Sequence, residues 1–326
     1  MLALRLACET GGLDLDDPVG PAVYARFVRD LLLSHPDVEP APIQGADAIL
    51  SLDGRFRAGR GQRTVTAVHD LSHLLARGAL SRREWLRQNW QVASAVRRSD
   101  HLLVPSTAVR LGLVERLRVP EERITVLAPL PAPTVRRAKP ADVRALGEEL
   151  ELPDRYFLFL GTGSRRKNLG LLARAWEAAR ADLPDGVGLV LAGRGATGVP
   201  GARELGHVDA DRLPPLLSGA IAWLNPSLYE GCAIGALEAM ACGAPPVVAA
   251  TGAQPRAVDR AGLVLDAHDP APWAEAMTAL AGSPDFRSSL ANACLKAIAE
   301  AREHPPHAGP LLEQLGARHA APAAPA

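Results

Sequence analysis

The sequence predicts an α/β protein built of two Rossmann-like domains whose parallel sheets face a central cleft. Three observations carry that prediction. Short apolar runs alternate with amphipathic helical stretches along the whole chain, the pattern of parallel sheets covered on both faces. At 326 residues the chain has length for two domains, and a hydrophobic content of 48% supplies their cores. A Pro-, Lys- and Arg-rich stretch near the middle, LPAPTVRRAKPADVR, interrupts the alternation and reads as a linker. The boundaries that follow are an N-terminal domain over 1–135, a linker over 136–150, a C-terminal domain over 151–304, and a C-terminal segment over 305–326 that becomes a frayed tail from Arg318.

In the first half the strand candidates are LALRLAC, DAILSL, RTVTAVHD, HLLVPS and ITVLAP. PAVYARFVRDLLLSH and SRREWLRQNWQVASAVRRS place leucine, valine and tryptophan at helical spacing. In the second half YFLFLGTG, GLVLAGRG, AIAWLNPS and APPVVAAT read as strands, with helices expected from Asn168, Asp211, Gly235 and Pro272. No apolar run approaches the ~18–20 residues of a membrane span. The opening MLALRLAC is interrupted by Arg5 and reads as a buried strand rather than a signal segment.

Lysine plus arginine (36) balance aspartate plus glutamate (36), so nothing global points to nucleic acid. The four cysteines Cys8, Cys232, Cys242 and Cys294 show no metal-ligand spacing and read as free thiols of a cytoplasmic protein. Arginine is concentrated between Arg55 and Arg98, opposed there only by Asp70 and Glu84. With Trp85 and Trp90 on the intervening helix, this region suits an anionic lipid surface, a phosphorylated acceptor, or simply a solvated face. The lipid reading would place the protein peripherally at the inner membrane face.

The most informative segment is Pro226–Gly243, PSLYEGCAIGALEAMACG. Glu230 falls on a strand-to-helix loop, and Glu238 faces the same side about one turn inside the helix. Between them the backbone N–H groups of Cys232, Ala233, Ile234 and Gly235 are the orphan donors of a helix start, a natural cradle for a diphosphate. An anion cradle flanked by two carboxylates suits a nucleotide-sugar. A second strand ends in Gly161-Thr-Gly163, and Arg165, Arg166 and Lys167 follow it. Such a turn is either solvated or points cations at a phosphate. Gly193-x-Gly195-x-x-Gly198 has the spacing of a dinucleotide fingerprint, but Val199-Pro200-Gly201 cannot continue a helix, so that reading is rejected. Asp209-x-Asp211 reads as an acidic helix start rather than a metal site.

The Glu-x7-Glu segment and the G-T-x-x-x-R-K-N pattern together resemble the retaining glycosyltransferases of family 4, which have the GT-B fold. The resemblance covers most of the second domain and, more loosely, the stretch from His69 to Pro129. It implies a metal-independent, retaining transfer of a sugar from a UDP-, GDP-, ADP- or TDP-linked donor to a hydroxyl acceptor. No cofactor and no nucleic acid are implied. Arg166, Lys167 and the loop at Gly161 would hold the donor phosphates, and Val208 with Gly206 and His207 would pass the base. Glu230 would meet the donor sugar and Glu238 the ribose. His69, in TAVHDLSH, would reach the sugar hydroxyls, and Gly20 survives from a glycine loop whose second glycine is Ala22 here.

Three departures oppose full activity. Ala233 replaces a glycine of the family's E-G-F-G-L-P, Gly235 replaces its proline, and Arg256 replaces the glutamate of a Pro-Glu pair. They keep open a catalytically degenerate partner or regulatory subunit. A nucleotide-sugar epimerase on a similar fold fits less well, because it lacks these signatures.

Overall fold

A computed structural model describes residues 3–15, 20–57, 59 and 61–316. The chain forms two compact units. The first takes the described residues up to 74, then 81–129, and the described C-terminal residues from 306; the second takes 75–80 and 130–305.

The first unit contains β1 (Leu4–Glu9), α1 (Gly20–Leu33), β2 (Val38–Pro40), β3 (Ala48–Ser51), β4 (Arg63–Ala67) and α2 (Ser72–Leu75). These are followed by α3 (Arg82–Arg98), β5 (His101–Val104), α4 (Thr107–Leu117) and β6 (Ile124–Val126). Its six strands are parallel in the order β2-β1-β3-β4-β5-β6. Every residue of β3 and β5 is buried, which is why these read as unbroken apolar runs. The order reverses between β1 and β3, so the carboxyl ends of these strands form the switch point where open α/β sheets bind ligands.

The second unit contains α5 (Pro140–Glu149), β7 (Arg155–Leu160), α6 (Leu169–Ala179), β8 (Val187–Ala192), β9 (Arg203–Gly206) and α7 (Leu213–Ser218). It continues with β10 (Ala220–Asn225), α8 (Ile234–Ala241), β11 (Pro246–Ala249), α9 (Gln254–Val258), β12 (Leu263–Leu265), α10 (Ala271–Gly282) and α11 (Pro284–Glu303). The parallel order is β12-β11-β10-β7-β8-β9, with its switch point between β7 and β10. One core joins Phe157 and Phe159 of β7, Leu171 and Trp176 of α6, and Trp273 and Met277 of α10.

One expectation about the chain's organisation differs from what is seen. The stretch 136–150 expected as a linker carries α5, which opens with Pro140 in its first turn and buries Leu146. The C-terminal segment ahead of the expected tail forms α12 (Gly309–Leu315), which buries Leu311, Leu312 and Leu315 in the first unit. There the Gln314 carbonyl accepts from Arg63 Nε at 2.9 Å. The tail from Arg318 lies outside the described residues.

A pH dependence is built into the first sheet. Burial, with the charges of Arg63 and Arg123, pushes the His101 imidazole down from 6.5 to about 4, its ring pairing with Thr125 Oγ1 at 2.8 Å. Between those values the unfolded chain binds the proton and the folded one does not. Stability contributed by neutral His101 is therefore complete above pH 6.5 and lost as pH falls toward 4. The expected loss is about 3 kcal/mol, read by denaturant titration across that window. His101→Gln should flatten the slope there.

Candidate functional site

The site of the second unit is assembled where β7 and β10 end, on the two sides of the switch point. After β7 the chain makes a tight turn, Arg165–Lys167, closed by Asn168 in the left-handed region at φ 56°. Asparagine tolerates that conformation, and its Nδ2 donates to the carbonyls of Pro226 (3.1 Å) and Ala267 (2.8 Å). The same turn is stitched to the loop after β10 by Leu228 N donating to the Arg166 carbonyl at 2.8 Å. Arg166 Nη1 in turn donates to the Tyr229 carbonyl at 2.6 Å. The two loops are thus one backbone-bonded body.

Its centre is an ion triad. Lys167 Nζ lies 2.6 Å and Arg166 Nη1 3.0 Å from the same oxygen, Oε1 of Glu230. All three side chains are mostly shielded, the Glu230 and Lys167 side chains each 14% exposed. Burial alone would raise the Glu230 carboxyl. The charges of Lys167 and Arg166 outweigh it, with the hydrogen bond from Lys167, and hold the group well below the usual carboxylate range. Glu230 is therefore a carboxylate at neutral pH, able to accept from hydroxyls and unable to act as an acid.

Behind Glu230 lies the loop after β11. Ala253 N donates to the Glu230 carbonyl at 2.8 Å. A Cβ on Gly252 would stand 2.2 Å from that carbonyl oxygen, so only glycine permits the approach. Thr251 Oγ1 donates to the Ser227 carbonyl at 2.7 Å, and Ser227 Oγ donates to Asn225 Oδ1. Sequence reading missed Ser227, Asn168 as a tether, and Gly252. The signal for Gly252 was a glycine just past a buried strand.

Beyond Glu230 the chain enters α8. Ile234 and Gly235 open the helix, where N–H groups have no acceptor within the helix. Ala233 caps it at φ 56°, the left-handed region that glycine adopts freely and alanine at a cost of about 1 kcal/mol. Gly235 is explained by its neighbour, since a Cβ there would meet Trp223 Cζ2 at 3.0 Å. The buried tryptophan ring occupies the space a larger residue would need. Glu238 is 8% exposed on the same helix. The Cys232 thiol is pushed up to about 12 by burial, with the Glu230 and Glu238 charges adding to it, so it stays a thiol near both carboxylates.

The glycine turns flanking the triad pack backbone on backbone. Gly161 N donates to the Ala192 carbonyl at 2.9 Å, and a Cβ on Gly193 would stand 2.1 Å from the Gly161 carbonyl oxygen. A Cβ on Gly163 would overlap the Gly195 carbonyl. Gly193 and Gly195 thus serve sheet-end packing, and no helix opens among them. Val208, buried after β9, follows Gly206 at φ 68°. Asp209 precedes, and Asp211 lies within, a short 3₁₀ turn ahead of α7. Among the described residues no group of three or more His, Cys, Asp or Glu is arranged to hold a metal ion.

The first unit has its own cluster at the β1/β3 switch point. Arg57 pairs with Asp53 (2.7 Å) and Glu9 (3.3 Å), and the Gly11 turn packs against Asp53. His69, after the neighbouring β4, donates through Nε2 to the Leu52 carbonyl at 2.6 Å and meets the Tyr24 ring edge-on. Burial lowers its pKa, so the ring is neutral with Nδ1 as its acceptor. Gly20 opens α1 with nothing within 4 Å of where a Cβ would stand. Glu230, Arg166, Lys167, Gly161, Val208, Cys232, Ala233, Ile234, Gly235 and Glu238 therefore share the second unit, while His69 and Gly20 lie in the first.

Two parallel six-stranded sheets, with a cation-bearing turn and a helix start at the second one's switch point, define a GT-B protein. Residues 154–283 match the family model for glycosyl transferases group 1, and residues 12–129 match that for glycosyltransferase family 4. A D-inositol 3-phosphate glycosyltransferase of Frankia alni is 30% identical over 306 residues, 83% of this chain and 74% of that protein. The chain belongs to glycosyltransferase family 4. The O-antigen chain mannosyltransferase B of Escherichia coli is 27% identical over 224 residues, 64% of this chain and 59% of that protein. Aligned segments span only 50–59% of several curated relatives. Among solved structures, Anabaena HepE in complex with UDP and glucose superposes with a TM-score of 0.68 at 15% identity, covering 92% of this chain and 95% of that one.

Proposed function

We propose that the protein is a retaining, metal-independent glycosyltransferase moving a sugar from a nucleotide-sugar to a hydroxyl acceptor. The observation that carries this reading is the triad: two cations at a switch point, sharing a single carboxylate, beside the opening of α8. An arriving diphosphate would take the N–H groups at the start of α8 and exchange with Glu230 for Lys167 and Arg166. Those cations would then stabilise the charge on the departing phosphate, the task a metal performs elsewhere. Freed from part of its pairing, the Glu230 carboxylate would accept from sugar hydroxyls, and Glu238 from the ribose. Neutral His69 would offer Nδ1 to a hydroxyl of the transferred sugar. Retention would follow from front-face attack, the leaving phosphate helping to deprotonate the acceptor.

Relatives named D-inositol 3-phosphate glycosyltransferase and O-antigen chain mannosyltransferase B, and a neighbour holding UDP and glucose, support a nucleotide-sugar donor. Ala233 favours the second reading, a degenerate partner or regulatory subunit. It holds a strained left-handed cap, and its Cβ lies beside the proposed phosphate site. The deciding assay is release of nucleoside diphosphate from UDP-, GDP-, ADP- and TDP-sugars, with and without added polyol acceptors. The transferase reading expects turnover with one donor, reduced at least about a hundredfold in His69→Ala and Glu230→Ala. Full turnover in Glu230→Ala would remove that residue from the active site, and no release from any donor would favour the partner reading.

A further inference from the structure

Helix α3 has an outward face its own unit does not use. Its inner stripe is Trp85, Gln88, Val92, Ala95 and Ser99, at the spacing of one helical face. Trp85 Nε1 donates to the His73 carbonyl at 3.0 Å, Gln88 accepts from Ser72 at 3.0 Å, and Ala95 is fully buried. The opposite stripe runs Arg83, Leu86, Arg87, Trp90 and Arg97. On it Leu86 is 52% and Trp90 65% exposed, the most exposed large apolar side chains described. Of the two tryptophans on this helix, only Trp90 faces outward.

The charge on this face is as lopsided as its apolarity. The whole chain balances 36 cations against 36 anions, yet α3 carries five arginines and a single acid. That acid, Glu84, is committed to the capping box, accepting from Ser81 N (2.9 Å) and Oγ (2.6 Å). Arg98 lies over the Phe56 ring at 4.3 Å. Arg82, Arg83 and Arg97 are exposed and form no ion pair among the described residues, and the exposed Arg87 meets only the charge of Glu84.

We infer that the outward stripe of α3 seats the protein on an anionic lipid surface, Leu86 and Trp90 entering the headgroup region between the arginines. The inference stands independently of the donor reading. A soluble phosphate would need donors converging in a pocket. Here the arginines spread over ~21 Å of helix at 1.5 Å per residue. Two apolar side chains interleave with them and would gain nothing from a soluble anion. Interleaved arginine, leucine and tryptophan on one helical face match the boundary between headgroups and acyl chains. No described helix is long and apolar enough to cross a membrane.

The test is sedimentation of the full chain with vesicles of phosphatidylcholine, with and without phosphatidylglycerol. Binding is expected only to the phosphatidylglycerol vesicles and should weaken as salt is raised. At about fivefold per arginine, Arg83→Gln with Arg87→Gln should weaken it about twenty-fivefold. Leu86→Ser with Trp90→Ser should weaken it about tenfold. All four side chains are exposed, so thermal unfolding should be unchanged. If a double variant fails to fold, Arg87→Gln and Trp90→Phe alone serve, the latter removing the fluorescence blue shift on vesicle binding. Absence of binding to phosphatidylglycerol vesicles would overturn the inference, as would equal binding by the variants. So would displacement from vesicles by inorganic phosphate at constant ionic strength, which would reveal a discrete phosphate pocket.

Discussion

Lys167→Met is expected to lower the unfolding free energy by about 3 kcal/mol, with Lys167→Met/Glu230→Gln recovering most of that loss. Lys167 and Glu230 meet at 2.6 Å with little solvent around either. Removing the lysine leaves a shielded carboxylate with one cation, Arg166 at 3.0 Å, so the cost sits at the low end for breaking a buried pair. Neutralising Glu230 as well removes the uncompensated charge, which is why the double variant should recover. Urea titration of the four proteins in the cycle gives the coupling directly. Equal stability of the single variant and the parent would mean that Arg166 alone satisfies Glu230. The shared-cation account of the site would then fail.

Gly252→Ala should cost about 3 kcal/mol or more and weaken nucleotide binding at the same time. At φ 56° its Cβ would stand 2.2 Å from the Glu230 carbonyl oxygen and 2.8 Å from the Glu230 nitrogen, so the backbone that carries the Glu230 carboxylate must shift. Gly198→Ala separates the two contributions. That glycine also has positive φ, 86°, but nothing lies within 4 Å of its Cβ position, so only the conformational cost of about 1–2 kcal/mol remains. If the two variants unfold alike in a thermal or urea titration, the contact with Glu230 carries no weight.

What the sequence revealed follows from how locally each feature is encoded. Strands β3, β5, β10 and β11 are buried along their whole length and stand out as apolar runs. The edge strands β2, β9 and β12, reading VEP, RELG and LVL, are short and partly exposed, and no period marks them. Helix α5 was hidden because its basic, proline-bearing approach resembles a linker, although Pro140 is where a helix tolerates proline. The Glu230–Glu238 loop and the Arg166-Lys167 turn were legible because each is a contiguous motif. Their meeting was not legible from spacing. Asn168 reaches Pro226 across 58 positions, and Gly252 reaches Glu230 through backbone alone. The direction in which Lys167 and Arg166 point, toward Glu230, is likewise a property of the assembled sheet ends.

Two of the three departures from the family pattern acquire a physical account. Gly235 leaves room for the Trp223 ring, and Ala233 accepts a left-handed cap at a modest cost. Arg256 is an exposed residue of α9, and nothing in the structure explains its charge.

The central claim, that α8 and its two flanking glutamates hold a nucleotide, is tested most directly by thermal unfolding with UDP, GDP, ADP and TDP. The titration is run on the parent chain and on Glu238→Ala. A ligand that binds only the folded state stabilises it by about 2.7 kcal/mol at a hundred times its Kd. The account predicts a rise in Tm with one of the four nucleotides that is lost in Glu238→Ala. A parent chain that shifts with none of them, or a variant that shifts as far as the parent, would contradict it.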